Sequence, residues 1–126
     1  MAMRKARKHE LAEALIDLLA RHELFEEVQI FVNGGRLGSW PSDKHPGTEN
    51  RVTKHGKIPY KFTENYPYNE TYANPDLLTF TFEGLLYDVI NQDLMPSVRE
   101  EMDELFKKYG VYMEQSYAWS AAVYYI

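Results

Sequence analysis

The stretch Val111 to Ile126, VYMEQSYAWSAAVYYI, decides the fold. Its odd positions read Val111, Met113, Gln115, Tyr117, Trp119, Ala121, Val123 and Tyr125. Its even positions read Tyr112, Glu114, Ser116, Ala118, Ser120, Ala122, Tyr124 and Ile126. One apolar and one mixed face alternating with a period of two describe β-structure with a single buried side. Two pairings are open. A two-residue turn at Gln115-Ser116 would set Met113 against Ala118 and break the apolar face. A three-residue loop at Glu114–Ser116 pairs Met113 with Tyr117 and Val111 with Trp119, and keeps it. No Asn-Gly signal marks a turn, so one long bent strand is the alternative.

Before this tail, the span from Pro96 to Tyr109 carries Val98, Met102, Leu105, Phe106 and Tyr109 on one stripe, with Arg99, Glu100, Asp103, Glu104 and Lys107 elsewhere. That is the spacing of an amphipathic helix. Pro96 suits a first turn, the acids lie near the positive end of the helix dipole, Lys107 and Lys108 near the negative end, and Gly110 can terminate it. A shorter helix is expected from Gly84 to about Asn91. Leu77 to Phe82 (LLTFTF) alternates as a half-buried strand, with Leu78, Phe80 and Phe82 on one side. Toward the N-terminus, Glu27 to Val32 is strand-like. Asn33-Gly34 supplies the two left-handed positions of a type I′ turn, returning the chain through Gly35 to Trp40. His9 to Arg21 reads as a helix with Leu11, Leu15, Ile16, Leu18 and Leu19 on its apolar side.

Between these lies 41–75, rich in Pro and Tyr, which reads as a long loop region. A hairpin from Asn50 to Lys54, returning through His55-Gly56 to Lys57–Phe62, fits inside it, with Pro59 restricting that strand to an edge. The order of elements predicts an α+β fold. It has a mainly antiparallel sheet, an N-terminal amphipathic helix, and a C-terminal helix pair followed by a strand or hairpin. A chain of 126 residues corresponds to a single domain, 1–126, with 1–8 read as a flexible basic arm.

The chain has no cysteine, which excludes disulfides and thiolate chemistry and suits a cytoplasmic protein. The basic-then-apolar N-terminus is not read as a signal peptide, because Glu10, Glu13 and Asp17 interrupt the apolar part. No run approaches the ~20 apolar residues of a membrane span. Net charge is −5, unevenly spread. Arg4, Lys5, Arg7 and Lys8 open the chain without an acid, and Arg51, Lys54, Lys57 and Lys61 form a second acid-free stretch. Residues 76–126 hold nine acids against three bases, enough to repel nucleic acid and attract basic surfaces if the acids share a face.

No catalytic motif is complete. HELAE from His9 and HELFE from His22 lack the second histidine of the HExxH zinc site, so each reads as an ordinary His–Glu pair on a charged helix face. Gly34-Gly35-Arg36-Leu37-Gly38 would need a following helix to hold phosphate, and Ser39-Trp40-Pro41 follows instead. Asp76 and Glu83 approach a metal-dependent nuclease pattern but lack its lysine. Asp43 and His45, or His55, with Ser39 or Ser42 could be drawn as a triad, yet there is no nucleophile elbow. No cofactor or metal is expected.

Two binding elements remain. One is acidic: Asp93, Glu100, Glu101, Asp103 and Glu104, with Asp88 and Glu114 nearby, placed to meet a protein partner. The plainer reading of these acids is a solvated helix face. The other is basic and aromatic: Arg51, Lys54, Lys57 and Lys61 for phosphates, with Tyr60 and Tyr66 to stack on bases. Its plainer reading is that tyrosines pin a loop while lysines protect an edge strand.

Leu77 to Asn91 (LLTFTFEGLLYDVIN), Tyr109 to Glu114 (YGVYME) and Ala118 to Ser120 (AWS) resemble stretches of small accessory proteins of Gram-positive conjugative elements. The resemblance carries over no catalytic residue. It implies a non-enzymatic protein of a mobile element that binds and inhibits a host restriction or CRISPR nuclease through an acidic surface resembling DNA. The alternatives are a nucleic-acid-binding accessory factor and a small hydrolase or nuclease.

Overall fold

A computed structural model describes residues 2–38, 50–53, 56–59, 61–63 and 74–126, the three central stretches by their backbone alone. Among the described residues, three helices, α1 (Lys5–Arg21), α2 (Leu85–Asn91) and α3 (Pro96–Lys108), accompany eight strands. The strands are β1 (Val28–Val32), β2 (Gly35–Gly38), β3 (Asn50–Thr53), β4 (Gly56–Pro59), β5 (Lys61–Thr63), β6 (Leu78–Phe82), β7 (Val111–Tyr117) and β8 (Ser120–Tyr125). Six form one sheet in the order β5-β2-β1-β6-β8-β7, antiparallel at every junction, while β3 and β4 pair separately. The fold is α+β, as the sequence predicts.

Side-chain periodicity makes this a layered structure. Register sets Ile30 opposite Phe80 and Phe80 opposite Ala121, with Val32, Leu78 and Val123 in the next row. All six lie in the buried core with Val98, Met102 and Phe106 of α3 and Leu11, Leu15, Ile16 and Leu19 of α1. The Phe80 ring meets Phe82 at 5.5 Å and Phe106 at 6.2 Å between centroids, tying sheet to helix. Burying each such ring stabilises the fold by roughly 1.5–3 kcal/mol.

Local chemistry sets the junctions. Asn33 and Gly34 have φ of 53° and 74°, so the β1–β2 turn is the expected left-handed pair. Beyond α1, the Leu24 amide donates to the Leu19 carbonyl at 2.7 Å and the Glu23 amide to that of Ala20 at 3.0 Å. Glu23 itself sits at φ 57°. This is a Schellman ending with glutamate where glycine is usual. Gly84, ahead of α2, lies so close to the 22–27 segment that an added Cβ would meet the Glu26 carbonyl oxygen at 2.6 Å.

The sequence reading needs three adjustments. The tail is a hairpin, but its turn is Ala118-Trp119, so Met113 faces Val123 and Val111 faces Tyr125. A bulge between Gln115 and Tyr117 absorbs one residue, pairs Tyr117 with Ser120 on the opposite face, and lets its ring stack on Trp119 at 5.1 Å. α1 begins at Lys5 rather than His9, so Lys5 to Lys8 are helical and not part of a flexible arm. Within 41–75, β3 and β4 pair antiparallel, but Thr53 faces Gly56, so Gly56 belongs to the strand and not to the expected His55-Gly56 turn, while β5 leaves them to extend the main sheet beside β2.

Candidate interaction surface

α1 and α3 run antiparallel. The Arg7 guanidinium lies 4.4 Å above the Tyr109 ring at one end, and Arg21 and His22 reach Glu101 at the other. The four cations at the start of α1 stand against the positive end of its own dipole, and Arg7 is compensated there by the Tyr109 ring and by Glu10 at 3.5 Å. Burial pushes the Tyr109 hydroxyl pKa up, helped by Glu10 and opposed by Arg7.

The junction between α2 and α3 breaks local rules. Gln92 and Leu94 both donate their amides to the Asp88 carbonyl, at 2.8 and 3.3 Å, winding the chain tightly after α2. Asp93 and Met95 then adopt φ of 53° and 54°. Aspartate tolerates this region; methionine does so at a cost of about 1–2 kcal/mol. Met95 is also the N-cap residue of α3, where it offers no side-chain acceptor to the first-turn amides. The conformation turns apolar side chains outward: Leu94 is 41% exposed and Met95 36%.

From this turn α3 carries Glu100, Asp103 and Glu104 outward, all exposed, as is Asp93. With about 100° per residue they share roughly 100° of arc opposite the buried stripe, and Lys107 falls inside the same arc. Asp103 accepts from Arg99 Nε at 3.4 Å. Glu101 points elsewhere: its carboxylate accepts from Arg21 and, at 3.0 Å, from His22 Nε2. The hydrogen bond from His22, with the Arg21 charge, holds the Glu101 carboxyl below its ordinary range against a smaller opposing effect of burial. Glu101 therefore clamps α3 to α1, and the exposed acids are Asp93, Glu100, Asp103 and Glu104. Glu100 and Glu104 rim a shallow depression of about 630 Å³ between the helices.

The remaining sequence candidates are dispersed. Arg51, Lys57 and Lys61 lie on β3, β4 and β5, while Lys54, Tyr60 and Tyr66 fall outside the described residues, as do Ser39, Ser42, Asp43, His45 and His55. His9 pairs with Glu13 at 3.3 Å, one helical turn on, and His22 is engaged with Glu101. Among the described residues no three His, Asp or Glu converge as a metal site. Asp76 and Glu83 lie beyond opposite ends of β6, whose five residues span roughly 13 Å, too far to share a cation. Asp88 lies in α2, and Glu114 faces outward on β7.

The exposed Leu94 and Met95 were not singled out by sequence reasoning. Their signal is the absence of Ser, Thr, Asp or Asn directly before Pro96, where a helix N-terminus ordinarily has one. Among the described residues, no helix is long and apolar enough to cross a membrane. No protein family, curated protein or solved structure matches the chain.

Proposed function

We propose that the protein acts by binding another protein, without catalysis, and that the contact is the α2–α3 turn with the acidic side of α3. The observation that carries this reading is Met95, held in the left-handed region at a helix start with its apolar side chain partly exposed. Strain of this kind is over-represented at functional sites, and at Met95 it coincides with exposed apolar surface. An exposed apolar pair bordered by carboxylates also has the composition of an interface centre with a polar rim. Taken with the resemblance to accessory proteins of conjugative elements, the partner is a host restriction or CRISPR nuclease. On this reading Asp93, Glu100, Asp103 and Glu104 take the place of DNA phosphates in the partner's binding site.

The test is inhibition of such nucleases by the full chain, compared with two variants. Reversing Glu100, Asp103 and Glu104 to Lys should abolish inhibition, and Met95→Asp should weaken it about tenfold or more, both without loss of fold. Inhibition that survives the charge reversal would end the DNA-imitation reading. A second reading, nucleic-acid binding, draws on the four cations that open α1, of which Arg4, Lys5 and Arg7 are exposed. Salt-sensitive retention of the protein on DNA would favour it over the first.

A further inference from the structure

The outer edge of β7 is available for strand addition, and its backbone pattern can be worked out from two hydrogen bonds. The Ile126 amide donates to the Gly110 carbonyl at 3.0 Å, so Gly110 and Ile126 are a hydrogen-bonded pair. Such pairs alternate along antiparallel strands, which makes Tyr112/Tyr124 and Glu114/Ala122 the next two. The amide of Phe82 donating to the Trp119 carbonyl at 2.8 Å gives the same phase from the other side of β8. It follows that the peptide groups of Val111, Met113 and Gln115 point away from β8. No strand pairs with that side among the described residues. The usual protections of an edge are sparse here: 111–115 contains no Pro and no Lys, and the bulge lies beyond it.

We propose that this edge pairs antiparallel with the β7 of a second copy, joining the two sheets across a two-fold axis at Met113. The side chains select both the partner and the register. Only registers that set odd residues against odd ones bring outward peptide groups together. An axis at Glu114 would place two carboxylates directly opposite each other at the closest type of pair. An axis at Tyr112 leaves Gln115 without a partner within the regular stretch. An axis at Met113 uses all three outward peptide groups, for about six hydrogen bonds. It sets each Tyr112 opposite the partner's Glu114, phenol to carboxylate, twice by symmetry. Tyr112 is 44% exposed in the single chain, its ring 5.9 Å from that of Tyr124, and pairing would set the partner's Glu114 at the open end of this aromatic row.

Sedimentation velocity on the full chain from micromolar to hundreds of micromolar should show a reversible monomer–dimer equilibrium. Substitution at Tyr112 then reads the register by its sign. Tyr112→Lys places a cation opposite the partner's Glu114 and should tighten the dimer, whereas Tyr112→Glu places like charges together and should weaken it. Each change should be about tenfold because the pair occurs twice. An axis at Tyr112 itself would instead make both variants weaken association, by repulsion of identical charges. Circular dichroism confirms that each variant is folded. A chain that stays monomeric across the range, or variants that shift association in the same direction, would overturn the proposal.

Discussion

Glu23→Gly should make the protein more stable, and the size of the gain follows from the ending of α1. Glu23 occupies the left-handed position of a Schellman motif at φ 57°, and its side chain is exposed, so replacing it removes no buried surface. Relief of the left-handed conformation is worth about 1–2 kcal/mol for a residue with a Cβ. The greater freedom of glycine in the unfolded chain takes back about 0.4–1 kcal/mol. A net gain of about 0.5–1 kcal/mol remains. For 126 residues the unfolding entropy is near 0.26 kcal/mol/K at about 2.1 cal/mol/K per residue, so Tm should rise about 2–4 °C. The assay is a pair of thermal and urea melts with Glu23→Ala as control. Alanine removes the same charge but keeps the strained backbone. If glycine and alanine melt together, the backbone argument fails and any shift belongs to the lost carboxylate.

Two further outcomes concern the packing that holds the turn in place. Gly84→Ala should destabilise by about 1–3 kcal/mol, because a Cβ at 2.6 Å from the Glu26 carbonyl forces α2 away from the 22–27 segment; an unchanged urea midpoint would contradict this. Glu101→Gln should cost no more than about 1 kcal/mol at about pH 7, since its partners are partly exposed. The folded Glu101 pKa lies below its unfolded value, so the stability it supplies is present above the unfolded value and disappears as pH falls through the folded one. The gap between wild type and variant should therefore narrow in urea melts as pH is taken below the ordinary carboxylate range, and a gap of undiminished size in acid would refute the assignment.

Where one local code dominates, the sequence is sufficient. Val98, Met102 and Phe106 are spaced for burial on a helix, Leu78, Phe80 and Phe82 on a strand, and Asn33-Gly34 encodes its turn; all three occur as read. The tail hairpin is harder, because its turn residues Ala118 and Trp119 carry no turn preference and the bulge resets the alternation by one residue. The start of α1 is equally hidden. No capping side chain marks it, and four cations there look unfavourable until α3 brings Tyr109 beneath Arg7. At the candidate surface the acids were visible as charges, but which of them stay free depends on Arg21 and His22 arriving from another helix. The conformation of Met95 depends on how α2 meets α3, which no window of sequence contains.

The antiparallel seating of α1 on α3 gives this helix pair, among the described residues, ends of unlike charge. Arg4, Lys5, Arg7 and Lys8 gather with Lys107 and Lys108 at one end of the helix pair. Glu100 and the segment bearing Glu23, Glu26 and Glu27 lie toward the other, where Arg21 meets Glu101, joined by Glu83, whose amide donates to the Glu27 carbonyl. A polyanion nearing the helix pair would therefore be drawn toward the start of α1 before it makes a contact. Salt would then act mainly on the rate of encounter and much less on how long the complex lasts.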